Sequence, residues 1–175
     1  ESLLVIGGGY VGLEIGTVYA AMGSRVTVVE LAEQMLPGVD PDLVKPLQRR
    51  LKQIFHAIHV GTKVRDMDEH PKGVAVTLEG DVENPEQTFD RVLVGIGRHP
   101  NTKGLGLENT KVKLDDRGFV IVDDRQRTAD GRILAVGDVA GGMMLAHKAS
   151  KEGKVAAEVI AGKPSAFDVR AIPAI

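Results

Sequence analysis

Three glycines near the N-terminus are spaced for contact with a phosphate group. Gly7, Gly9 and Gly12 form a Gly-x-Gly-x-x-Gly motif directly after the apolar run 2–6 and before a helical pattern. The first glycine permits a tight turn, the second lets the backbone approach a pyrophosphate, and the third lets the helix pack closely on the strands. Free N–H groups and the dipole at the helix N-terminus stabilise phosphate charge. The motif therefore predicts a dinucleotide-binding turn, which we favour over a strand–helix turn that binds nothing.

An acidic residue stands where the ribose of a dinucleotide is expected. Glu30 ends the second apolar run and follows Gly12 at a spacing close to the roughly 20 residues typical of a ribose-binding acid. A carboxylate there repels a 2′-phosphate, and Leu31 and Ala32 supply no cation to offset it. The sequence therefore favours NAD(H) over NADP(H). The alternative for Glu30, a solvated charge at a strand end, is outweighed by its position in the pattern.

A second glycine pair follows another apolar run. The segment Gly95–Arg98 overlaps the end of the run 89–96, and Pro100 lies just beyond it. Open α/β sheets bind ligands at the carboxyl ends of their strands, and glycines there let the backbone approach a cofactor. From the residues alone, a ligand-lining segment and a glycine-rich turn stopped by proline are about equally favoured.

The elements that position these residues begin with a βαβ unit of about 30 residues. The run 2–6 predicts a strand buried on both faces, and the run 25–30 predicts a second strand rich in β-branched residues. A second helix is predicted to start at Asp40–Pro41, with Pro46 either kinking it or marking its true start. The first helix is predicted from apolar residues at helical spacing, namely Val11, Ile15, Val18 and Met22.

The rest of the chain alternates between short elements and loops. A short strand is predicted at residues 57–60, and period-two alternation within residues 62–87 predicts a small antiparallel meander inserted in the α/β domain. A buried strand is then expected at residues 89–96, and a final helix at residues 146–161. Between them, residues 119–122 and 133–136 are predicted to form two short strands.

Composition excludes several classes of function. The 175 residues include no Cys, so disulfides, Cys–metal sites and thiol catalysis are excluded within this chain. The net charge of −2 predicts no general attraction to nucleic acid or anionic membranes. No apolar run has the length of a membrane span, and the N-terminus has no signal-peptide pattern. His56 and His59 lack a third ligand nearby and are interpreted as structural, so no metal site is expected.

With these residues in hand, the chain resembles the pyridine nucleotide–disulfide oxidoreductases, and within them the dihydrolipoyl branch. The resemblance runs in order along nearly the whole chain and implies a flavoprotein that uses NAD and FAD. The stretches that carry it are Gly7–Glu14, Val28–Glu30, Met35–Gly38, Gly95–Asn101, Val136–Asp138 and Met144–Ala149.

The resemblance implies roles for residues in the NAD-binding part. Gly7–Gly12, which includes Gly8 and Val11, and Glu30 would hold the pyrophosphate and ribose. Tyr10 would lie near the nicotinamide pocket and shield the flavin, and Glu14 would approach the nicotinamide and the flavin edge. Val64 would touch the adenine side. The remaining wall of the NAD groove would be lined by Gly95, Ile96, Gly97 and Arg98.

Two further residues are assigned to FAD by the resemblance. Asp138 would accept hydrogen bonds from the ribityl or phosphate region of the flavin, although its pattern also fits a turn or cap residue. Ala146, at the start of the final helix, would contact the flavin through its backbone N–H. His147 next to it is interpreted as a surface or packing residue.

The resemblance also implies a division of the fold. We expect an α/β fold in which residues 1–115 form a Rossmann-like NAD-binding domain with the inserted antiparallel β-meander. Residues 116–175 would be the second segment of a split, incomplete FAD-binding domain. Because the redox-active cysteine pair, a second glycine-rich βαβ unit and the family's His–Glu acid–base pair are missing, the chain is expected to be the middle of a longer parent. It starts inside a strand, which agrees with that expectation.

The parent implied by the resemblance would oxidise dihydrolipoamide and pass hydride through FAD to NAD⁺. It would be a homodimer associated with a 2-oxo acid dehydrogenase complex, in the cytoplasm in preference to the mitochondrial matrix, without nucleic-acid or membrane partners. The chain itself is expected to bind NAD(H) without catalysing the reaction. The alternatives are a segment of an NADH oxidase, a transhydrogenase or a mercuric reductase, or a stand-alone nucleotide-binding module.

The resemblance carries one structural expectation for the C-terminal part. Residues 119–160 would normally pack on the missing half of the FAD domain. Without it, an exposed edge is expected at residues 133–136, and the apolar face of Val155 and Val159 is expected to lack cover. Disorder, self-association or strand exchange would follow there.

Overall fold

Four parallel strands form the sheet that carries the first glycine motif. The computed structural model describes residues 1–173, in two compact units that divide after Gly97. In the first unit the sheet order is β3-β2-β1-β7. Its strands are β1 (Ser2–Ile6), β2 (Arg25–Val29), β3 (Ala57–His59) and β7 (Arg91–Val94). Since successive strands pair in parallel, the carboxyl ends of β1, β2 and β7 lie at one edge.

The first helix, α1, follows the glycine motif and runs over Tyr10–Ala21. The apolar residues that predicted the helix do not form its buried face, because Val11, Val18 and Met22 are 42%, 57% and 75% exposed. The buried residues are Gly12, Leu13 and Gly16. The helix therefore approaches the sheet through small residues, which agrees with the close packing predicted for the third glycine.

The second helix, α2, spans Pro41–Ile54 and covers the same face of the sheet as α1. Asp40 caps it, since its Oδ1 accepts a hydrogen bond from the N–H of Asp42 at 2.9 Å. Pro46 lies inside the helix and does not mark its start. Val44 and Leu51 provide the buried contacts of this helix with the sheet.

The predicted antiparallel meander is present, and it covers the opposite face of the parallel sheet. It consists of β4 (Lys63–His70), β5 (Gly73–Glu79) and β6 (Glu86–Phe89), in that order. Its buried side chains share one apolar cluster with the parallel sheet, formed by Leu4, Val29, Val76, Leu78 and Phe89. The expected α/β class, with a parallel sheet and a separate antiparallel sheet, is confirmed. The first unit therefore has three layers, with helices and meander on opposite faces of the parallel sheet.

The last strand of the parallel sheet differs from the prediction of a buried strand over residues 89–96. Phe89 belongs to the meander, and β7 is an edge strand whose Val94 is 54% exposed. Ile96, beyond its end, is 75% exposed. A continuous apolar run thus marks an edge strand here, because one side of β7 pairs with β1 and, within residues 1–173, no strand pairs with the other side.

The second unit begins at Arg98 and is mostly irregular. The two short strands expected at residues 119–122 and 133–136 are reduced to single bridges, Leu114 with Val120 and Arg127 with Leu134. Short 3₁₀ turns occur at Leu107–Asn109 and Gly137–Ala140. The final helix is confirmed as α3, Ala146–Ile160.

The interior of the second unit combines apolar and charged side chains. Val155 and Val159 are buried, so the expectation that their face lacks cover is wrong. Lys148 and Glu152, one turn apart on the same helix, form a buried ion pair at 2.8 Å. Among residues 1–173, no helix combines the length and apolar character that crossing a bilayer requires.

Candidate nucleotide-binding site

The first glycine of the motif is fixed between two strands. Gly7 donates its N–H to the carbonyl of Val29 at 2.8 Å and has φ +105°. A β-carbon at this position would collide with the carbonyl oxygen of Gly95. Only glycine tolerates both the positive φ and this close backbone approach. The two glycine clusters found in the sequence therefore meet at the carboxyl ends of β1 and β7.

The second glycine leaves open space above the helix N-terminus. Gly9 is the residue before α1, in an extended conformation, and a β-carbon built on it meets no atom within 4 Å. The first N–H groups of a helix have no partner within that helix, so those of Tyr10 and Val11 remain available to an acceptor. Open space next to free N–H groups is the arrangement that a pyrophosphate requires.

The third glycine sets the distance between helix and turn. A β-carbon on Gly12 would collide with the carbonyl oxygen of Gly7 and lie 3.1 Å from Val5. One turn further along α1, a β-carbon on Gly16 would lie 3.2 Å from the ring of Phe55. These contacts are within the protein, so Gly12 is required by packing independently of any ligand.

Glu30 lies beside the turn and already accepts two hydrogen bonds. Its Oε2 accepts from the N–H of Gly8 at 2.6 Å, and its Oε1 accepts from the N–H of Ala32 at 2.8 Å. A carboxylate has about four acceptor positions, so each oxygen retains capacity for a hydroxyl donor such as a ribose. The structure thus brings Glu30 to the glycine turn, where the sequence predicted it.

Sequence reasoning missed one residue that contacts the turn. Leu36 donates its N–H to the carbonyl of Gly8 at 2.8 Å, and it is one of two non-glycine residues with positive φ among residues 1–173, at +52°. Its side chain is buried in the core beneath α2. In the sequence, the segment Met35–Gly38 is distinguished only by the resemblance. A left-handed leucine gives no sequence signal, since leucine rarely adopts that conformation.

The other residues predicted for the NAD site are partly dispersed. Tyr10 is 47% exposed and Glu14 is exposed on α1. Gly95 donates its N–H to the carbonyl of Ile6 at 2.7 Å, and Gly97 has φ +125° with no atom within 4 Å of its β-carbon position. Val64 instead packs against the apolar cluster between the meander and the parallel sheet.

In the second unit, two of the predicted cofactor residues contact each other. Arg98 donates from Nη1 to Oδ2 of Asp138 at 2.9 Å, and both side chains are about half exposed. They line a cavity of about 460 Å³ together with Phe119 and Met144. Ala146 is exposed as the first residue of α3, where a backbone N–H has no helical partner.

The turn that carries Asp138 is fixed at Gly137 by two buried charged side chains of α3, Lys148 and Glu152. The N–H of Gly137 donates to Oε2 of Glu152 at 2.7 Å, and Nζ of Lys148 lies 3.4 Å from the carbonyl oxygen of Gly137. Both side chains are about 5% exposed. The two ends of Gly137 are thus fixed by the buried ion pair, which positions Asp138 at the surface of this unit.

Of the histidines interpreted as structural, His59 contacts the site through its backbone, where its carbonyl oxygen accepts from the N–H of Glu30 at 2.8 Å. His59 ends β3, where burial lowers the pKa of its imidazole. Within residues 1–173, no three His, Asp or Glu side chains converge as metal ligands. His147 contacts the carbonyl oxygen of Pro173 through Nε2 at 2.8 Å.

The sequence that forms this fold and glycine turn matches a known protein family. Residues 1–153 match the family model described as pyridine nucleotide-disulphide oxidoreductase. The chain belongs to this family of oxidoreductases, so the resemblance drawn from the sequence is confirmed. Members are flavoproteins that use FAD and NAD(H).

Curated relatives that are similar to this chain include dihydrolipoyl dehydrogenases. The enzymes of Geobacillus stearothermophilus and Haloferax volcanii are both 46% identical, over 100% and 99% of this chain. In each case the match spans 37% of the relative's length. The chain thus corresponds to little more than a third of these proteins.

Solved structures of other flavoprotein disulfide reductases and related oxidoreductases superpose on this chain. LpdA from Mycobacterium tuberculosis superposes with a TM-score of 0.87 at 29% identity, covering 99% of this chain and 37% of that one. The HOCl-induced flavoprotein disulfide reductase RclA from Escherichia coli gives a TM-score of 0.85 at 29% identity, with 95% and 38% covered.

Proposed function

We propose that the first unit is the NAD(H)-binding part of a dihydrolipoyl dehydrogenase-like enzyme. The observation that carries this proposal is the glycine turn with open space over Gly9, free N–H groups at the start of α1 and the carboxylate of Glu30 alongside. The N–H groups and helix dipole favour the pyrophosphate, and Glu30 accepts ribose hydroxyls. Gly95 and Gly97, at the end of β7, line the other side of the dinucleotide.

The deciding experiment compares NADH and NADPH. A 2′-phosphate brought next to Glu30 meets a negative charge, so NADH is expected to bind at least tenfold more tightly than NADPH. Titration calorimetry on the 175-residue chain measures both constants. Equal affinities would refute the assignment of Glu30 as the ribose ligand. Absence of binding of either nucleotide would refute the proposed function.

A methyl group placed over the turn tests the position of the pyrophosphate. Gly9→Ala adds a β-carbon in open space, so the fold is expected to be retained while the affinity for NADH falls about tenfold or more. Gly153→Ala is the matched control, because it adds the same methyl group in open space on α3. Equal NADH affinity in the two variants would place the pyrophosphate elsewhere.

We propose that the whole protein oxidises dihydrolipoamide to lipoamide. The two electrons leave the dithiol, which closes to a disulfide, and NAD⁺ takes up a hydride while one proton is released. FAD, when bound, supplies the intermediate electron carrier. The 46% identity to enzymes named dihydrolipoyl dehydrogenase favours this substrate over those of other family branches. Because the chain has no Cys, we expect it to bind NAD(H) without turning over a dithiol.

The second unit would supply a limited part of the flavin site. Asp138 offers a carboxylate with one oxygen engaged by Arg98, and Ala146 offers a helix N-terminal N–H. The carboxylate suits a polyhydroxylated portion of FAD, and the helix N-terminal N–H suits a phosphate. We further propose that the whole protein is a homodimer, works with a 2-oxo acid dehydrogenase complex and acts in the cytoplasm. Our proposed domain assignment is residues 1–115 for NAD(H) and 116–175 for FAD, a boundary that lies 18 residues beyond the end of the first compact unit at Gly97.

A further inference from the structure

Gly8, in the centre of the glycine turn, is held from both sides by side-chain and backbone groups. Its N–H donates to Oε2 of Glu30 at 2.6 Å, and its carbonyl oxygen accepts from the N–H of Leu36 at 2.8 Å. Glu30 is fixed in turn by the N–H of Ala32 at 2.8 Å. The peptide groups on each side of Gly8 therefore have one defined orientation within the protein itself.

Because peptide groups are planar, these two hydrogen bonds also fix the directions of the C=O of Gly7 and the N–H of Gly9. In a trans peptide the C=O and the N–H point to opposite sides. With its carbonyl held by Leu36, the Gly8–Gly9 peptide directs the N–H of Gly9 away from Leu36. With the N–H of Gly8 held by Glu30, the carbonyl oxygen of Gly7 points toward α1, which agrees with its closeness to Gly12.

We propose that Glu30 is a positioning residue for the pyrophosphate in addition to a ligand for the ribose, and that Leu36 acts with it. By holding Gly8, the two residues orient the N–H of Gly9 together with the free N–H groups of Tyr10 and Val11. The N–H of Gly8 itself is used within the protein and does not bind phosphate. This inference rests on the proposed NAD(H) site and assigns to one carboxylate two separable contributions to affinity.

Charge and positioning predict opposite results, which makes the inference testable. Glu30 is negative and lies near the site of a diphosphate, so removing its charge by itself strengthens the binding of an anion. Removing the acceptor of Gly8, in contrast, frees the turn to rotate and weakens that binding. A ligand without ribose hydroxyls isolates the two effects, because the direct contact of Glu30 with the ribose is then absent.

The experiment measures NADH and an NADH analogue that carries 2′,3′-dideoxyadenosine, by calorimetry on the 175-residue chain. The variants are Glu30→Ala, Glu30→Gln and Glu33→Ala. Glutamine retains an oxygen that can accept from Gly8. Glu33 is an exposed acid beside Gly61 and is the matched control for loss of one negative charge.

For the dideoxy analogue, we expect Glu30→Ala to bind about tenfold more weakly than the parent sequence, the loss typical of one charge-assisted hydrogen bond. Glu30→Gln is expected within about threefold of the parent sequence, since it keeps a neutral acceptor. Glu33→Ala is expected to bind equally or more tightly. An unchanged or tighter constant for Glu30→Ala would overturn the positioning contribution, whereas absence of NADH binding by the parent chain would overturn the proposed function instead.

A ligand-free measurement keeps the inference falsifiable if a variant is unstable or the analogue binds too weakly. Amide hydrogen exchange at Gly8 reports its bond to Glu30 directly. We expect exchange at least tenfold faster in Glu30→Ala and unchanged in Glu33→Ala, with both variants retaining the far-ultraviolet spectrum of the parent. Protection of Gly8 that is independent of residue 30 would refute the proposal.

Discussion

The two units of the chain have interiors of different chemical character. In the first unit the buried side chains form two apolar clusters on opposite faces of a parallel sheet, and the buried polar ones are Thr27 and Thr62. In the second unit the buried polar and charged residues are Thr102, Gln126, Thr128, Asp130, Lys148 and Glu152. Regular sheet hydrogen bonds stabilise the first unit, whereas the loops of the second are held by backbone–backbone bonds together with side-chain bonds to backbone groups.

This difference explains how each unit positions its proposed cofactor residues. The first unit fixes a turn by packing, because Gly7 and Gly12 lie against backbone atoms. The second unit fixes a turn by charge, because Glu152 and Lys148 hold Gly137. Packing is sensitive to volume and insensitive to pH, while a buried ion pair has the reverse sensitivities. Variants of each kind should therefore affect one unit and spare the other.

The largest effect is expected from breaking the buried ion pair. Glu152→Ala leaves the ammonium group of Lys148 buried without a partner and the N–H of Gly137 without an acceptor. We expect the free energy of unfolding of the second unit to fall by about 4 kcal/mol. Hydrogen exchange of peptides from α3 and residues 137–140 measures this loss, with peptides from the first unit unchanged.

Two variants control that experiment. Lys151→Ala truncates an exposed side chain on the same helix and is expected to leave exchange unchanged. The double variant Lys148→Met, Glu152→Leu removes both charges and is expected to be less destabilised than Glu152→Ala alone. A double variant that is worse than the single one would contradict a charge-based interior.

A slightly smaller effect is expected from truncating the core of the first unit. Leu51→Ala removes a side chain that is 2% exposed and leaves a cavity between α2 and the sheet. A loss of about 3 kcal/mol is expected, confined to exchange of the first unit. Leu43→Ala, at a position on the same helix that is 71% exposed, should change stability by less than about 0.5 kcal/mol. Equal losses in these two variants would show that packing does not dominate this unit.

A third and weaker effect concerns the cap of α2. Asp40→Ala removes the acceptor for the N–H of Asp42 and should destabilise the first unit by about 1 kcal/mol. Thermal unfolding followed by circular dichroism measures the change. Lys45→Ala, which removes only an exposed ion pair with Asp42, is the control and should be nearly neutral. Equal losses in the two variants would argue against a specific contribution of the cap.

The last expected difference between the two units is in their stability at acid pH. Hydrogen bonds from the side chain and backbone of Arg132 and from the N–H of Lys111 lower the pKa of Asp130 to about 2, from an ordinary value of 3.8. Since the folded-state pKa is lower than the unfolded one, the stabilisation is complete above about pH 4 and is lost as the pH falls toward 2. We expect exchange of the second unit to accelerate in this window. Asp130→Asn should make that acceleration smaller, and an unchanged pH profile would argue against this source of stability.

Much of the first unit could be predicted from sequence because each signal is local. Continuous apolar runs mark β1 and β2, alternation marks the meander, and Asp40–Pro41 marks the start of α2. The glycine turn and Glu30 were predicted from spacing, since a strand–turn–helix with an acid at the end of the next strand has one compact arrangement. Whether these residues bind NAD(H) stays a prediction until binding is measured.

The errors arise where structure depends on partners distant in sequence. The apolar spacing in α1 predicts the helix but does not identify its buried face, because that face includes Gly12 and Gly16, which carry no hydrophobic signal. The short apolar segments 119–122 and 133–136 have β propensity, but their pairing is limited to single bridges. The contact of Leu36 with Gly8 depends on a left-handed backbone conformation, which cannot be predicted from a leucine at that position.

The contact of Gly7 with the backbone of Gly95 has different consequences for substitution at the two positions. A β-carbon at position 7 collides with a carbonyl oxygen that any residue at position 95 would have, whereas a β-carbon at position 95 meets only ordinary contacts of 3.6 Å. In a library of all substitutions, position 7 should accept only glycine whenever folding is selected. Position 95 should accept alanine under selection for folding and lose that tolerance under selection for nucleotide binding. That outcome would show that glycine at position 7 is required for folding and glycine at position 95 for the proposed nucleotide binding.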